Sequence, residues 1–149
     1  MCIRDRYFNL IHLGFGGYRS VALQDLQNAR LLSRALELSG YYTVLSDIHR
    51  PVGTSGVIAE TARKVTGVNE SDVETYEPGL PVVSFRFSDD FKAKHPNIQQ
   101  KWMQTLLRTK GWIVPNYELA PNLEHIDILR VVVRESMTED VRNYYHLLV

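Results

Sequence analysis

Residues 126–134 restrict the fold more than any other part of the sequence, because they combine strong strand character with a charge at the centre. Most of them are β-branched or aliphatic and do not alternate cleanly with polar residues, a pattern typical of a strand covered on both faces. Arg130 would then lie where an unpaired charge is costly. We therefore expect Arg130 to meet a carboxylate, which either the protein or a ligand supplies.

Composition is that of an ordinary globular protein. The chain has 149 residues, of which 44% are hydrophobic and 23% charged, enough to bury one core. Its 17 basic and 17 acidic residues cancel, so no overall charge attracts nucleic acid or an anionic membrane. Cys2 is the single cysteine, which excludes an internal disulfide framework. No apolar stretch approaches the roughly 20 residues of a spanning helix. We predict a cytoplasmic protein without nucleic acid or membrane partners.

A long helix is predicted over residues 7–40, because apolar residues recur there with helical spacing and Gly40 is a suitable stop. Gly14, Gly16 and Gly17 interrupt it, which predicts either one weakened helix or two helices in series. Such glycines could form a phosphate-binding loop, but they follow a helix rather than a strand and lack a Walker lysine. A bend or close packing is the better interpretation.

The remaining residues divide into a short N-terminal remnant and a small domain. Residues 1–6 share no pattern with the rest of the chain and resemble a translated sequencing adapter, so we exclude them from the fold. Residues 41–149 form the small domain, interrupted by a surface excursion at 49–79 that is rich in glycine, proline and acidic residues. A short helix over 57–65 is possible within this excursion.

The order of the predicted elements indicates an α/β, two-layer sandwich with a mainly antiparallel sheet and helices on one face. The second sheet face needs a cover that we do not find in this chain. His49 and His95 have no spaced partners and are interpreted as ordinary polar residues, so no metal site is expected. The predicted strands cover 41–45, 80–87, 112–117 and 126–134, and the predicted helices of this domain begin at Asn97 and Ser136.

Several blocks together resemble the C-terminal part of pyridoxal-phosphate-dependent glutamate decarboxylases, members of the group II decarboxylase family, in their plant and fungal forms. The most specific are Gly-Trp-Ile-Val-Pro at 111–115, followed by Tyr117, and Leu-Arg-Val-Val-Val-Arg-Glu at 129–135. Residues 7–18 and Gly-Leu-Pro-Val-Val at 79–83 add to the match. Ser136 and the length of the excursion depart from the plant and bacterial pattern, and a long excursion is more typical of fungal relatives.

The resemblance implies the small C-terminal domain of a fold-type-I enzyme, preceded by a long linking helix. The full-length protein would convert L-glutamate to 4-aminobutyrate and CO2 as a homo-oligomer, at least a dimer. Pyridoxal 5'-phosphate would be bound by a large domain that this sequence lacks. By the match of residues 129–132, Arg130 would contact a substrate carboxylate, while Arg134 is interpreted as structural. The alternative for Arg130 is an ion pair with Asp127 or Glu135.

No catalytic or cofactor-binding residue is expected within this chain. The sequence contains no Ser-x-His-Lys block, in which the family carries its Schiff-base lysine, and we therefore expect the chain alone to be inactive. Two other functions remain open: the small domain of another fold-type-I decarboxylase, or an interaction module without catalysis. The lysines are interpreted as solvated helix or loop residues, namely Lys64, Lys92, Lys94, Lys101 and Lys110.

Overall fold

A four-stranded antiparallel sheet organises the chain in the computed structural model, which describes residues 3–52 and 75–137. The strand order is β1-β2-β4-β3, so β4 lies inside the sheet and pairs with both β2 and β3. This arrangement confirms the predicted antiparallel α/β fold. The strands are β1 (Tyr42–Val44), β2 (Val82–Phe87), β3 (Asn116–Glu118) and β4 (Asp127–Val132).

The alternation of side chains divides the sheet into a covered and an uncovered face. Val83 and Phe85 of β2 are fully buried, as is Leu129 of β4, because all three point to the same side. Arg130 and Val132 point to the other side and are exposed. The described residues therefore cover only one face of the sheet, in line with the expectation that the cover of the second face is not found in this chain.

Helix α1 (Ile3–Leu38) provides most of that cover. Leu32 and Leu36 from its C-terminal half are buried against the sheet. Gly14 has φ 57° and ψ −174°, which breaks the helix into two in series, one of the two predicted forms. The helix begins at Ile3 rather than at Tyr7, since the intervening residues contain no helix breaker.

Two shorter helices follow β2. Helix α2 (Asp89–Lys94) was not predicted, although Ser88 caps it by accepting a hydrogen bond from the backbone N–H of Phe91. Helix α3 (Lys101–Thr109) begins four residues after Asn97, the predicted start and cap. Leu107 of α3 completes the core from the same side as α1.

One side chain, Gln100, ties together three strands at the N-terminus of α3. Its Oε1 accepts a hydrogen bond from the Phe87 N–H at 2.9 Å. Its Nε2 donates to Asn116 Oδ1 and to the Asp127 carbonyl, both at 3.0 Å. Because Gln100 is only 6% exposed, these bonds satisfy polar groups that water does not reach. This use of the side chain also explains why it does not cap its own helix.

The ends of the excursion are fixed to α1 by a compact aromatic and basic cluster. Pro51 and Tyr76 form an isolated antiparallel bridge, and Tyr76 is buried. Arg30 of α1 lies over the Tyr76 ring at 4.1 Å from its centroid, and Arg34 donates to the Tyr76 hydroxyl at 2.7 Å. The helix predicted at 57–65 and the one predicted beyond Ser136 lie outside the described residues, apart from a 3₁₀ turn at Glu135–Met137.

Replacing Gln100 by Leu is expected to destabilise the fold by about 2–4 kcal/mol, because it leaves several buried polar groups without partners. Urea unfolding of the chain measures this difference. Gln99→Leu is the matched control, since Gln99 is exposed and should tolerate the change. Equal stability of the two variants would contradict the role of Gln100.

A pH-dependent contact joins α1 to the segment after β1. His49 is almost fully buried, and its Nε2 lies 3.0 Å from Glu37 Oε2. Burial raises the pKa of Glu37, but the hydrogen bonds and electrostatic attraction from His49 and Arg50 outweigh burial, so the pKa lies below its ordinary value of 4.5. The folded state therefore binds this proton less tightly than the unfolded chain does. The contact stabilises the fold above about pH 4.5 and is lost as the pH falls through the lowered pKa.

Glu37→Gln should accordingly reduce the free energy of unfolding by about 1–2 kcal/mol near neutral pH, with a smaller deficit below about pH 4.5. Urea unfolding at several pH values gives the comparison. Glu124→Gln serves as the control because Glu124 is exposed. A deficit that stays constant from neutral to acidic pH would show that the Glu37 carboxylate charge is not what stabilises the fold.

Candidate functional site

Arg130 lies at the centre of the uncovered sheet face, which we call the open face. It stands opposite Ser84 in the register of β2 and β4. β3 pairs with β4 so that Tyr117 lies opposite Ile128, diagonal to Arg130 on the same face. The open face consists of Thr43, Val82, Ser84, Arg86, Tyr117, Ile128, Arg130 and Val132.

The Arg130 guanidinium contacts an aromatic ring. Its central carbon lies 4.9 Å from the centroid of the Tyr117 ring. Such a contact between a cation and a π face contributes about 0.5–1 kcal/mol at an exposed site and about 2 kcal/mol when it is desolvated. It holds the charge near the middle of the sheet without using a carboxylate.

Arg86 on the same face has a different environment. Its Nη1 and Nη2 donate to the two carboxylate oxygens of Asp89 at 2.7 Å and 3.1 Å. The hydrogen bond and charge of Arg86 lower the pKa of Asp89. Among residues 3–52 and 75–137, by contrast, no carboxylate pairs with Arg130. The alternative ion pair with Asp127 or Glu135 is therefore absent from the described part of the chain.

Arg134, the second arginine at the end of this strand, is exposed and has a structural connection through its backbone. Its carbonyl accepts a hydrogen bond from Asn28 Nδ2 at 3.1 Å. Asn28 is buried on α1, so this bond fixes the end of the strand to the helix. The bond involves only the main chain of Arg134, so it does not depend on the arginine side chain.

His49, His95 and the described lysines lie away from the open face. His49 pairs with Glu37, and the ring of His95 lies 4.9 Å from that of Phe91. Within the described ranges, no group of three His, Cys, Asp or Glu residues could hold a metal ion. The described lysines belong to α2, to α3 or to the residue after α3, which are Lys92, Lys94, Lys101 and Lys110.

Large apolar side chains are exposed at many positions, and two groups of them bear on the site. On the open face, Val132 is 56% exposed at the end of β4. The N-terminal half of α1 exposes several large apolar side chains, of which Phe15 is 86% exposed. Exposed apolar surface of this extent commonly marks a contact with another domain or protein. The exposed residues of this helix segment are Ile3, Tyr7, Phe8, Leu10, Ile11, Leu13, Phe15 and Tyr18.

Sequence reasoning predicts a role for Arg130 but does not predict the ring beside it. The strand predicted at 112–117 is shifted toward the C-terminus, since Pro115 has no N–H to donate to the ladder and β3 begins at Asn116. The Pro115 carbonyl still accepts a hydrogen bond from the Arg130 N–H at 3.3 Å. Tyr117 is thereby placed in the middle of β3, beside Arg130. The only signal for this in the sequence is that proline, which indicates an edge or a bulge as readily as the boundary of a strand.

Known proteins similar to this chain share one enzyme name. Glutamate decarboxylase from Saccharomyces cerevisiae is 34% identical in an alignment of 143 residues that covers 91% of this chain and 24% of the relative. The enzyme from Petunia hybrida is 30% identical over 133 residues, 89% of this chain and 20% of the relative. Glutamate decarboxylase beta from Listeria innocua is 27% identical over 135 residues. No protein-family model matches the chain.

The fold has a counterpart among solved structures. Glutamate decarboxylase from Lactobacillus brevis matches with a TM-score of 0.68 and 23% identity, over 95% of this chain and 25% of that protein. The fold is thus that of a segment that makes up about a quarter of that solved structure. In sequence, the chain is a homologue of a segment of the glutamate decarboxylases, which confirms the predicted resemblance. It spans about a quarter or less of the length of the curated relatives it matches.

Helices long and apolar enough to cross a membrane do not occur among residues 3–52 and 75–137.

Proposed function

We propose that this chain is the C-terminal part of a glutamate decarboxylase and that Arg130 contacts a carboxylate of L-glutamate. The whole enzyme would release CO2 and form 4-aminobutyrate. The observation that carries this proposal is the guanidinium of Arg130 on the open face, where no carboxylate of the described residues pairs with it. The similarity to glutamate decarboxylases of a fungus, a plant and a bacterium supports the same assignment.

Arginine suits this task because its planar guanidinium can donate two parallel hydrogen bonds to a carboxylate. These two hydrogen bonds compensate the negative charge of the substrate carboxylate and also fix the orientation of the substrate. Decarboxylation depends on that orientation, since the breaking bond must be aligned with the system that accepts its electrons. The role of Arg130 would therefore be to bind and orient the substrate rather than to transfer a proton.

The cofactor would be held by residues outside this chain. Pyridoxal 5'-phosphate supplies the electron sink for amino-acid decarboxylation and is attached through a lysine. The described lysines lie on the helices or just after α3, and none is on the strands that form the open face, so these residues do not fit the cofactor. We propose that a large domain elsewhere in the enzyme supplies this lysine.

The exposed apolar surfaces support a domain arrangement of the same kind. In our proposal, residues 7–40 link to the large domain, and residues 41–149 form the small domain whose open face meets it. Burial of Val132 and of the apolar N-terminal half of α1 would then remove surfaces that proteins rarely leave exposed. Residues 1–6 remain a predicted non-native remnant. A homo-oligomer and a cytoplasmic location also remain predictions.

Arg130→Lys in the full-length enzyme is expected to reduce kcat/KM for L-glutamate by about 10- to 100-fold, because lysine cannot form the two-pronged grip. Steady-state kinetics measure this loss, and the cofactor absorbance band should be little changed. Arg86→Lys is the matched control on the same face, where the ion pair with Asp89 is kept. Wild-type kinetics of Arg130→Lys would count against the assignment. Loss only for another amino acid would favour a different decarboxylase of the same fold.

The purified chain is expected to bind pyridoxal phosphate only weakly and to release no CO2 from L-glutamate. Titration with the cofactor, followed by absorbance and borohydride reduction, tests this expectation. A stable band of a lysine-bound cofactor, with a reduced adduct located on Lys92, Lys94, Lys101 or Lys110, would overturn the proposal that the cofactor is held elsewhere.

A further inference from the structure

We infer that Tyr117 is a positioning residue, whose ring holds the Arg130 guanidinium ready for the substrate carboxylate. This inference rests on the proposed function of Arg130 and extends it to a residue that need not touch the substrate. The observation behind it is the 4.9 Å distance between the guanidinium carbon and the centroid of the Tyr117 ring. The two residues come from neighbouring strands and meet on the open face.

The way in which each arginine is held decides what it can still bind. Both terminal nitrogens of Arg86 donate hydrogen bonds to Asp89, so they are already occupied. Arg130 is held through the face of a neutral ring, which attracts the charge without accepting hydrogen bonds in the guanidinium plane. Its N–H donors therefore stay available for an incoming carboxylate.

A long side chain without such a support would have to be ordered when the substrate binds. Fixing an arginine side chain costs up to about 2 kcal/mol of rotamer entropy. The Tyr117 ring reduces this cost before binding, which is preorganisation. Its effect should appear mainly in the KM, because the same contact exists before and during the reaction.

The strand that carries the ring is held by hydrogen bonds with Gln104 of α3 and with Gln100, the residue before α3. The backbone N–H of Asn116, the residue before Tyr117, donates to Gln104 Oε1 at 2.9 Å. The Asn116 side chain accepts from Gln100 Nε2 at 3.0 Å. Two glutamines on the covered side thus hold the short strand that presents the ring on the other side. A support built in this way has little freedom to move away from Arg130.

Tyr117→Leu and Tyr117→Phe in the full-length enzyme separate the ring from its hydroxyl. We expect Tyr117→Leu to raise the KM for L-glutamate by about 3- to 30-fold with a smaller change in kcat, since a contact of this kind is lost. Tyr117→Phe keeps the π face and should restore most of the wild-type KM. Tyr41→Leu is the matched control, because Tyr41 is 44% exposed, against 42% for Tyr117, and does not contact Arg130.

The double variant with Arg130→Ala distinguishes this inference from the proposed function. If Tyr117 acts through Arg130, Tyr117→Leu should have almost no further effect once Arg130 is replaced. Full additivity of the two changes would overturn the positioning role. A wild-type KM for Tyr117→Leu would also overturn it, provided that Arg130→Ala is impaired. Normal activity of Arg130→Ala would instead refute the proposed function.

A measurement on the 149-residue chain needs no enzyme activity. The Arg130 Nε–H proton, assigned by its loss in Arg130→Lys, should resonate upfield of an exposed arginine because of the ring current of Tyr117. Tyr117→Phe should keep this shift, and Tyr117→Leu should abolish it. An ordinary shift in the wild-type chain would refute the contact, and this test holds even if Tyr117→Leu fails to fold.

Discussion

The structure depends on the burial of one face of a four-stranded sheet beneath α1 and α3. Phe85, Leu129 and Leu32 are almost completely removed from water there, and each such side chain contributes about 1.5–3 kcal/mol. The opposite face has no comparable cover among residues 3–52 and 75–137. The covered face fixes the register of the strands, because a slip by one residue would turn every apolar side chain outward. Arg130 occupies its place on the open face as a result of that register.

Three arginines of this small fold have their positive charges compensated in physically different ways. Arg86 pairs with the Asp89 carboxylate, which accepts hydrogen bonds from both of its terminal nitrogens. Arg30 is buried and combines the face of the Tyr76 ring with a hydrogen bond from its Nε to the Ile48 carbonyl at 3.1 Å. Among residues 3–52 and 75–137, the Arg130 guanidinium has only the Tyr117 ring as its partner. The first two are structural solutions, since their donors are directed to the protein itself. The third leaves binding capacity on a surface that, in our proposal, meets the large domain and the substrate.

Sequence patterns predict the elements whose side chains alternate or repeat, and they fail where long-range hydrogen bonds decide. The spacing of Val83, Phe85 and Phe87 places them on one face, and all three are buried. Helix α2 escapes prediction because Ser88 and the two aspartates after it also resemble a loop. The bonds of Gln100 have no sequence signature, since their partners are far from it along the chain. Arg130 itself can be identified from the sequence, because it interrupts an apolar strand and matches the glutamate decarboxylase pattern. The contact with Tyr117 could not be predicted, because it depends on the residue at which β3 begins.

The position of Gln100 has a consequence for which amino acids the fold can accept there. Its environment presents one backbone donor to the side-chain oxygen and two oxygen acceptors to the side-chain nitrogen. Glutamate would place a negative charge against those two oxygens, and asparagine would be one methylene too short to reach all three strands. Glutamine is the natural amino acid whose side chain combines the required length with both a hydrogen-bond donor and an acceptor. Any other residue at position 100 would thus lose at least one of these three hydrogen bonds.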